Sequence, residues 1–265
     1  MSFGKEYIYK ELEKVDNALN ETVRLYLIGG GNMSLLGLKN ATRDIDVILN
    51  EEKELIILRD ALLKCGYEEK YLPVYQKMGS RLVMENEDGF RWDVFVNVVC
   101  HGLILSHYMM NRCREMQFGF KNLKLFLLSK EDVFLFKCIT ERERDLEDMH
   151  ILYLQGLDFE IIKKEIKWQS ENSSVAWIAY LFQRLMKLQE EYGIIVPNIK
   201  EIEKMAEEDA AISLILEKLS HKNYTIEELT KEMQQDENWI KELIQKLEEQ
   251  RKIRRKGNIF TRNNI

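Results

Sequence analysis

LYLIGGGNMSLLGLKNATRDIDVIL (25–49) is the stretch whose reading decides the fold. A short apolar run, Arg24–Ile28, ends in three glycines, and Asp44 and Asp46 bracket Ile45 where a second apolar run begins. Apolar runs of five or so residues closed by glycine are strand signals. "RLYLI" (24–28) and "IDVIL" (45–49) therefore predict two strands, with a short helix over "NMSLLGL" (32–38) between them. Residues two apart on a strand share a face, so Asp44 and Asp46 project together. Mg²⁺ takes oxygen ligands, usually one or two carboxylates plus substrate phosphates. The glycines bring no side chain, which lets backbone N–H groups at a helix start approach a triphosphate.

Two familiar glycine motifs fail here. A dinucleotide-binding G-x-G-x-x-G fits Gly29 and Gly31 but meets Ser34 at its third glycine. A Walker A loop needs a Lys-Ser/Thr pair that this stretch lacks.

Working outward, residues 6–20 read as a helix with Tyr7, Leu12, Val15 and Leu19 as its stripe, and 51–66 as a helix stopped by Gly66. "SRLVMENEDGFRWDVFVNVV" (80–99) reads as a hairpin turning at Asn86–Gly89. Its second arm carries Asp93 inside an apolar strand, where aspartate is disfavoured without a partner or a task. A third carboxylate on a neighbouring strand completes a two-metal site, with ions about 3.5–4 Å apart. Asp93 is the candidate.

From Ser129 the period becomes helical. Two helices are expected over 129–156, the first opened by a Ser129/Asp132 capping box, and another over 175–193. Pro197 marks a boundary near 195–203. Beyond it come "AAISLILEKLS", "TIEELTKEMQ" with a Thr225/Glu228 capping box, "DENWIKELIQKLEEQRKI", and a basic pair of strands turning at Lys256–Asn258. Three short helices and a hairpin have the layout of a winged helix-turn-helix. The divisions expected are 1–128 for the sheet domain, 129–200 for a helical region completing the cleft, and 201–265 for the winged-helix-like domain.

The pattern from Gly29-Gly30, across thirteen residues, to Asp44-Ile45-Asp46-Val47 resembles the signature of the polymerase-β-like nucleotidyltransferase superfamily. With Gly37, Lys39 and Thr42 before the aspartates, it looks like the branch holding the AbiEii-type toxins and related prokaryotic proteins. Lys137 and "RERDLEDMHIL" (142–152) are similar to that branch's later helical motif. Gly31-Asn32 departs from the small polar or Thr-Ala pair more usual after the glycines.

The resemblance implies an α/β fold, a small mixed sheet flanked by helices. Gly29 and Gly30 would lie near an incoming NTP, and Asp44, Asp46 and Asp93 would bind two Mg²⁺ ions. Asp93 would also activate the acceptor hydroxyl. Lys137 would contact the nucleotide phosphates, and Asp145 or Asp148 would shape the site. The reaction implied is transfer of an NMP from an NTP to a hydroxyl of tRNA, a protein or a small molecule.

Each of these residues has a plainer reading. Asp44 and Asp46 could cap a strand in solvent, and Asp93 could be a satisfied buried aspartate. Lys137 could pair with Glu141, and Arg144 with Asp148, at helical spacing worth about 0.2–0.5 kcal/mol. A rival function keeps the fold idle or nucleotide-sensing and gives the work to a DNA-binding winged helix. For that rival, Arg251 to Ile265 holds six basic residues and no acidic one, while the third helix carries Glu242, Glu248 and Glu249.

A net charge of −6 gives no overall pull toward nucleic acid, leaving only local patches for it. No apolar run approaches the roughly 20 residues of a membrane span, and the charged N-terminus lacks a secretory core, so a cytoplasmic protein with no membrane partner is expected. Four cysteines without CxxC spacing read as free thiols. "CHGLILSHYMMNRC" (100–113) gathers zinc-ligand types at no zinc spacing and reads as a buried amphipathic helix.

Overall fold

A computed structural model describes residues 2–71, 79–140, 142–173 and 175–263. The chain divides into two compact units, Met1–Glu165 and Ile166–Ile265.

The first unit is built on a mixed sheet ordered β3-β4-β5-β2-β1-β9-β8. Its centre is β1 (Val23–Ile28), β2 (Asp44–Leu49), β5 (Arg91–Val96) and β9 (Leu123–Leu127). β1 runs antiparallel to β2 and parallel to β9, and β2 runs parallel to β5. β3 (Glu68–Glu69) and β4 (Leu82–Glu85) extend one edge, and β8 (Arg114–Glu115) forms the other. The short strands β6 (Val98–Val99) and β7 (Leu103–Ile104) branch from β5. Strands buried on both faces read as continuous apolar runs. Accordingly, the consecutive residues Leu25, Tyr26 and Leu27 on β1 and Val47, Ile48 and Leu49 on β2 are all buried.

Helices α1 (Lys5–Ala18) and α3 (Glu52–Lys64) cover one face. Ile8, Leu12 and Val15 recur at helical spacing and join the core with Leu58 and Leu62. Asp16, at the end of α1, accepts hydrogen bonds from the backbone N–H groups of Lys121, Asn122 and Leu123 at 2.7–2.9 Å. That contact starts β9 in register beside β1. Neither β9 nor its parallel pairing was expected from the sequence, although Leu123, Leu125 and Leu127 alternate as a strand should.

Two further expectations are corrected. α2 runs Gly29–Leu35, so the glycines are its first turn rather than a loop before it. Residues 100–113 form a 3₁₀ turn (Cys100–Gly102), β7 and the six-residue α4 (His107–Arg112), not one amphipathic helix. Among the described residues no cluster of metal-ligand side chains gathers there.

α5 (Lys130–Cys138) and α6 (Glu143–Tyr153) follow as two helices. Ser129 caps α5 by accepting from the Asp132 N–H. The reciprocal half of the expected capping box is absent, because the Asp132 carboxylate accepts from the Ser129 hydroxyl at 2.7 Å and from Arg112 at 2.6 Å. Arg112 also reaches Glu165 at 2.6 Å, so one guanidinium neutralises two buried carboxylates.

In the second unit, α7 (Phe159–Glu171) leads in across the boundary, and α8 (Trp177–Tyr192) packs against α9 (Ile199–His221). Asp209 on α9 accepts from the Ser170 hydroxyl at 2.9 Å and the Ile178 N–H at 2.8 Å. α10 (Ile226–Met233) begins with the Thr225/Glu228 capping box, and α11 (Glu237–Glu249) is capped by Asp236. The hairpin β10 (Ile253–Lys256) and β11 (Ile259–Arg262) closes the unit, and Tyr224 bridges to Phe260 as a third strand position. Ile215, Leu229, Ile240, Leu247 and Phe260 form its separate core.

Candidate active site

The parallel pairing of β2 with β5 builds the acidic centre. Asp46 lies level with Asp93 and Asp44 level with Arg91. Side chains two apart on each strand share a face, so all four charged groups emerge from one side of the sheet. Arg91 donates to Asp44 Oδ2 at 2.6 Å and grips Asp93 through Nε to Oδ1 at 2.8 Å and Nη2 to Oδ2 at 3.0 Å. Asp46 has no hydrogen bond or ion pair to any side chain among the described residues.

The electrostatics follow from that arrangement. Burial raises the Asp46 pKa well above the ordinary carboxylate value, and the charges of Asp44 and Asp93 raise it further. Burial also lifts Asp93, to about 6, against the pull of Arg91. Three carboxylates with one bound guanidinium leave this corner short of positive charge. Sequence reasoning missed Arg91, whose signal was its position two residues before Asp93 on the same strand face.

The glycines and Thr42 explain how Asp46 fits. Gly29 has φ +64°, and a Cβ there would fall inside the contact radius of Asp46 Oδ2. A Cβ on Gly30 would stand 2.7 Å from Thr42 Oγ1, which itself donates to the Asp44 carbonyl at 3.0 Å. The glycine pair thus lets the first turn of α2 lie against the aspartate strand. The departure at Asn32 also has a local reason. Its buried amide donates to the Leu27 and Leu128 carbonyls at 2.7 and 3.3 Å, tying α2 to the ends of the parallel pair β1 and β9.

The basic part comes from α5, α6 and the loop after α2. Lys137 is buried and pairs with Asp145 at 2.6 Å and Asp148 at 2.7 Å. Lys39 also pairs with Asp148, and Arg142 reaches Asp145 at 2.7 Å. Thr140 donates to the same Asp145 carboxylate. Burial opposes the charge on Lys137, but Asp145 and Asp148 more than offset it and raise its pKa. Burial likewise resists ionisation of Asp145, yet Lys137, Thr140 and Arg142 hold it down at about 2. The Lys137–Glu141 pairing lies outside the described residues. Asp148 pairs with Lys39 and Lys137 rather than with Arg144.

These groups meet in a pocket of about 220 Å³ lined by Gly30, Asp44, Asp46 and Asp93 together with Lys39, Arg43, Lys137, Arg142, Arg144 and Asp148. Gly29 borders a smaller apolar recess behind Asp46, and Asp145 sits fully buried behind Lys137. An acidic corner beside a cluster of cations can hold a metal-bound polyphosphate.

The Asp145 network carries a stability prediction. Its folded pKa of about 2 lies below the ordinary aspartate value of 3.8, so its contribution is fully present above pH 4 and is lost as pH falls toward 2. The shift corresponds to about 2 kcal/mol. Asp145→Asn should lower stability at pH 7 and flatten the acid limb of a urea-denaturation series. An unchanged limb would show that the network does not stabilise the fold.

The mixed sheet thus presents an aspartate pair on one strand and a third aspartate on its parallel neighbour, with glycines behind them. The model of the family described as nucleotidyltransferase of unknown function (DUF6036) matches residues 6–192, and the chain belongs to that family. Among solved structures, the chain is similar to an antigenic nucleotidyltransferase-like protein from Paracoccidioides brasiliensis. The match has 13% identity and a TM-score of 0.44, and covers 78% of this chain and 95% of that one. No curated protein matches the chain. No helix among the described residues is long and apolar enough to cross a membrane.

Proposed function

We propose that this chain is a Mg²⁺-dependent nucleotidyltransferase that moves an NMP from an NTP to an acceptor hydroxyl and releases pyrophosphate. One observation carries the reading: Asp46, with no side-chain donor among the described residues, is flanked by Asp44 and Asp93 in a pocket whose other charged side chains are mostly cations. A set of carboxylate oxygens short of positive charge suits a hard divalent cation. Asp44, Asp46 and Asp93 would hold the metal, which when bound supplies Lewis-acid polarisation of the α-phosphate and of the acceptor hydroxyl.

The chain's own residues supply the rest. Lys39, Lys137 and Arg142 offer positive charge to the triphosphate, with Asp145 and Asp148 fixing the lysines and arginine in place. Asp93, lifted to about 6, accepts the acceptor's proton near neutral pH. Arg91 holds it in position, and each carboxylate oxygen keeps a lone pair beyond the one Arg91 takes. The acceptor hydroxyl belongs to an RNA, a protein or a small molecule. A toxin-like role of the AbiEii type rests on the Gly37, Lys39 and Thr42 pattern.

Arg91 makes the metal reading testable without a substrate. Charge-assisted hydrogen bonds are worth roughly 1.5–3 kcal/mol, so removing this competing cation with Arg91→Gln should tighten Mn²⁺ binding by about tenfold or more. Weaker binding in the variant would assign Arg91 a different task. For the reaction itself, calorimetric titration of the four NTPs with and without Mg²⁺ should show metal-dependent binding of at least one. That binding should vanish in the Asp44→Asn/Asp46→Asn protein. Equal binding by the double variant would sink the assignment.

A second reading concerns the C-terminal unit. Helices α9 to α11, the Tyr224 bridge and the hairpin support a winged helix-turn-helix with Arg254, Arg255 and Lys256 exposed on the wing. Glu242 and Glu249 are exposed on α11, the helix that would enter a groove. Duplex DNA binding that weakens steeply with salt would favour a regulator; no binding to duplex DNA at low salt would favour a protein-docking role.

A further inference from the structure

A second pocket lies wholly within the C-terminal unit and owes nothing to the transferase reading. Its volume is about 900 Å³, within the usual span of small-ligand sites. Its walls come from the end of α7, the end of α9 with the turn after it, and the two outer ends of the hairpin. Lys252, just before β10, and Arg262, closing β11, both line it.

These two cations are arranged in an unusual way. The backbone pairing of Asn263 with Lys252 at 2.9 Å and of Arg262 with Ile253 fixes them on neighbouring strand ends. Lys252 is half-buried, and its ammonium makes no ion pair or hydrogen bond among the described residues. Arg262 spends one N–H on the Leu216 carbonyl at 3.4 Å and meets no carboxylate among the described residues. Burial lowers the proton affinity of Lys252; the charges of Glu171 and Asp209 offset part of that, and the charge of Arg262 lowers it by the smallest amount. Glu171, the acidic residue on the rim, is within 3.9 Å of Lys167 instead. A part-buried ammonium with no carboxylate in contact among the described residues, facing the same recess as a guanidinium that meets none, is unfavourable unless an anion joins them.

We propose that this pocket is a phosphate-binding site for a mononucleotide-sized ligand, with Lys252 and Arg262 clasping the phosphate. Thr261 and Asn223 add neutral hydrogen-bonding groups to the lining, and Leu216 and Leu219 give an apolar surface for a ring. Arginine and lysine together suit a tetrahedral dianion, one as a fork and the other as a point charge. The exposed tip of the hairpin, with Lys256, lies outside the lining.

The test uses the full chain with AMP as the probe, in EDTA so that no divalent metal contributes at the aspartate site. Amide NMR shifts should localise to Asn223, Lys252, Thr261 and Asn263. Lys252→Gln/Arg262→Gln should weaken AMP binding by about a hundredfold or more, each of the two lost charge-assisted contacts being worth about tenfold or more. Lys256→Gln should bind as wild type, and Lys252→Arg should retain most of the affinity. Inorganic phosphate alone should move the Lys252 and Thr261 amides but bind more weakly, because it lacks the ring. Melting curves of each variant check that the hairpin is intact. Undiminished binding by a folded double variant, or no shift at these amides at millimolar AMP, overturns the proposal. So does binding of single-stranded oligonucleotides alone, which would make the recess part of a nucleic-acid track.

Discussion

Asp46→Asn is expected to cut nucleotide transfer by roughly 1,000-fold, since lost metal stabilisation of the transition state is worth several kcal/mol. The same change should raise the thermal midpoint. Asp46 faces two other carboxylates with no donor among the described residues, so a neutral amide removes repulsion without leaving a partner stranded. Asp44→Asn should be as inactive but less stable than wild type, because it takes a carboxylate from Arg91, whose Nη2 lies 2.6 Å away. Opposite stability shifts with equal loss of activity distinguish a shared metal role from general damage to the strand. Full transfer by either variant, measured with labelled NTP and an identified acceptor, would remove that aspartate from the mechanism.

Gly29→Ala should be the most damaging single methyl group in the sheet domain. It combines a φ of +64° with a Cβ that overlaps Asp46 Oδ2. Left-handed backbone costs an L-residue about 1–2 kcal/mol, and overpacking typically adds about 1–3 kcal/mol, so about 2–5 kcal/mol is expected. Gly37→Ala provides the comparison. Its φ is +79°, but nothing lies within 4 Å of the added Cβ, so it should show only the backbone share. Chemical denaturation of both variants separates strain from contact. If the two lose equal stability, the close approach to Asp46 is not what requires glycine at 29.

The centre of the sheet was legible because its strands carry their own signals. The apolar runs beside Gly29 and Asp44 were short and closed by clear stops, and Asp93 broke an apolar strand in a way that demanded explanation. The turn at Asn86–Gly89 announced its hairpin, and the observed β4 and β5 pair across it. Pairing between distant segments was not legible. Nothing local in Leu123–Leu127 says that it lies parallel to β1, since that register is fixed by Asp16 more than a hundred residues earlier. The same blindness hid the role of Arg91, which depends on the level at which β5 meets β2. It also hid the division of labour on α6, where Asp145 is buried behind Lys137 and Asp148 lies at the pocket. Helical spacing offered only neighbouring partners for Lys137, and tertiary contact supplied different ones.

Because Asp44 and Asp46 precede Asp93 and the lysine–aspartate network in the chain, the centre is assembled in a fixed order during synthesis. A nascent chain that has released its first 90 residues, at about 5–20 residues per second, carries the paired aspartates without their guanidinium partner. It has neither the third carboxylate nor the cations of α5 and α6. β2 in that intermediate lacks its parallel neighbour, and closing the sheet must wait for β5 to arrive. A message broken or a ribosome stalled before residue 145 therefore yields a fragment with no complete centre.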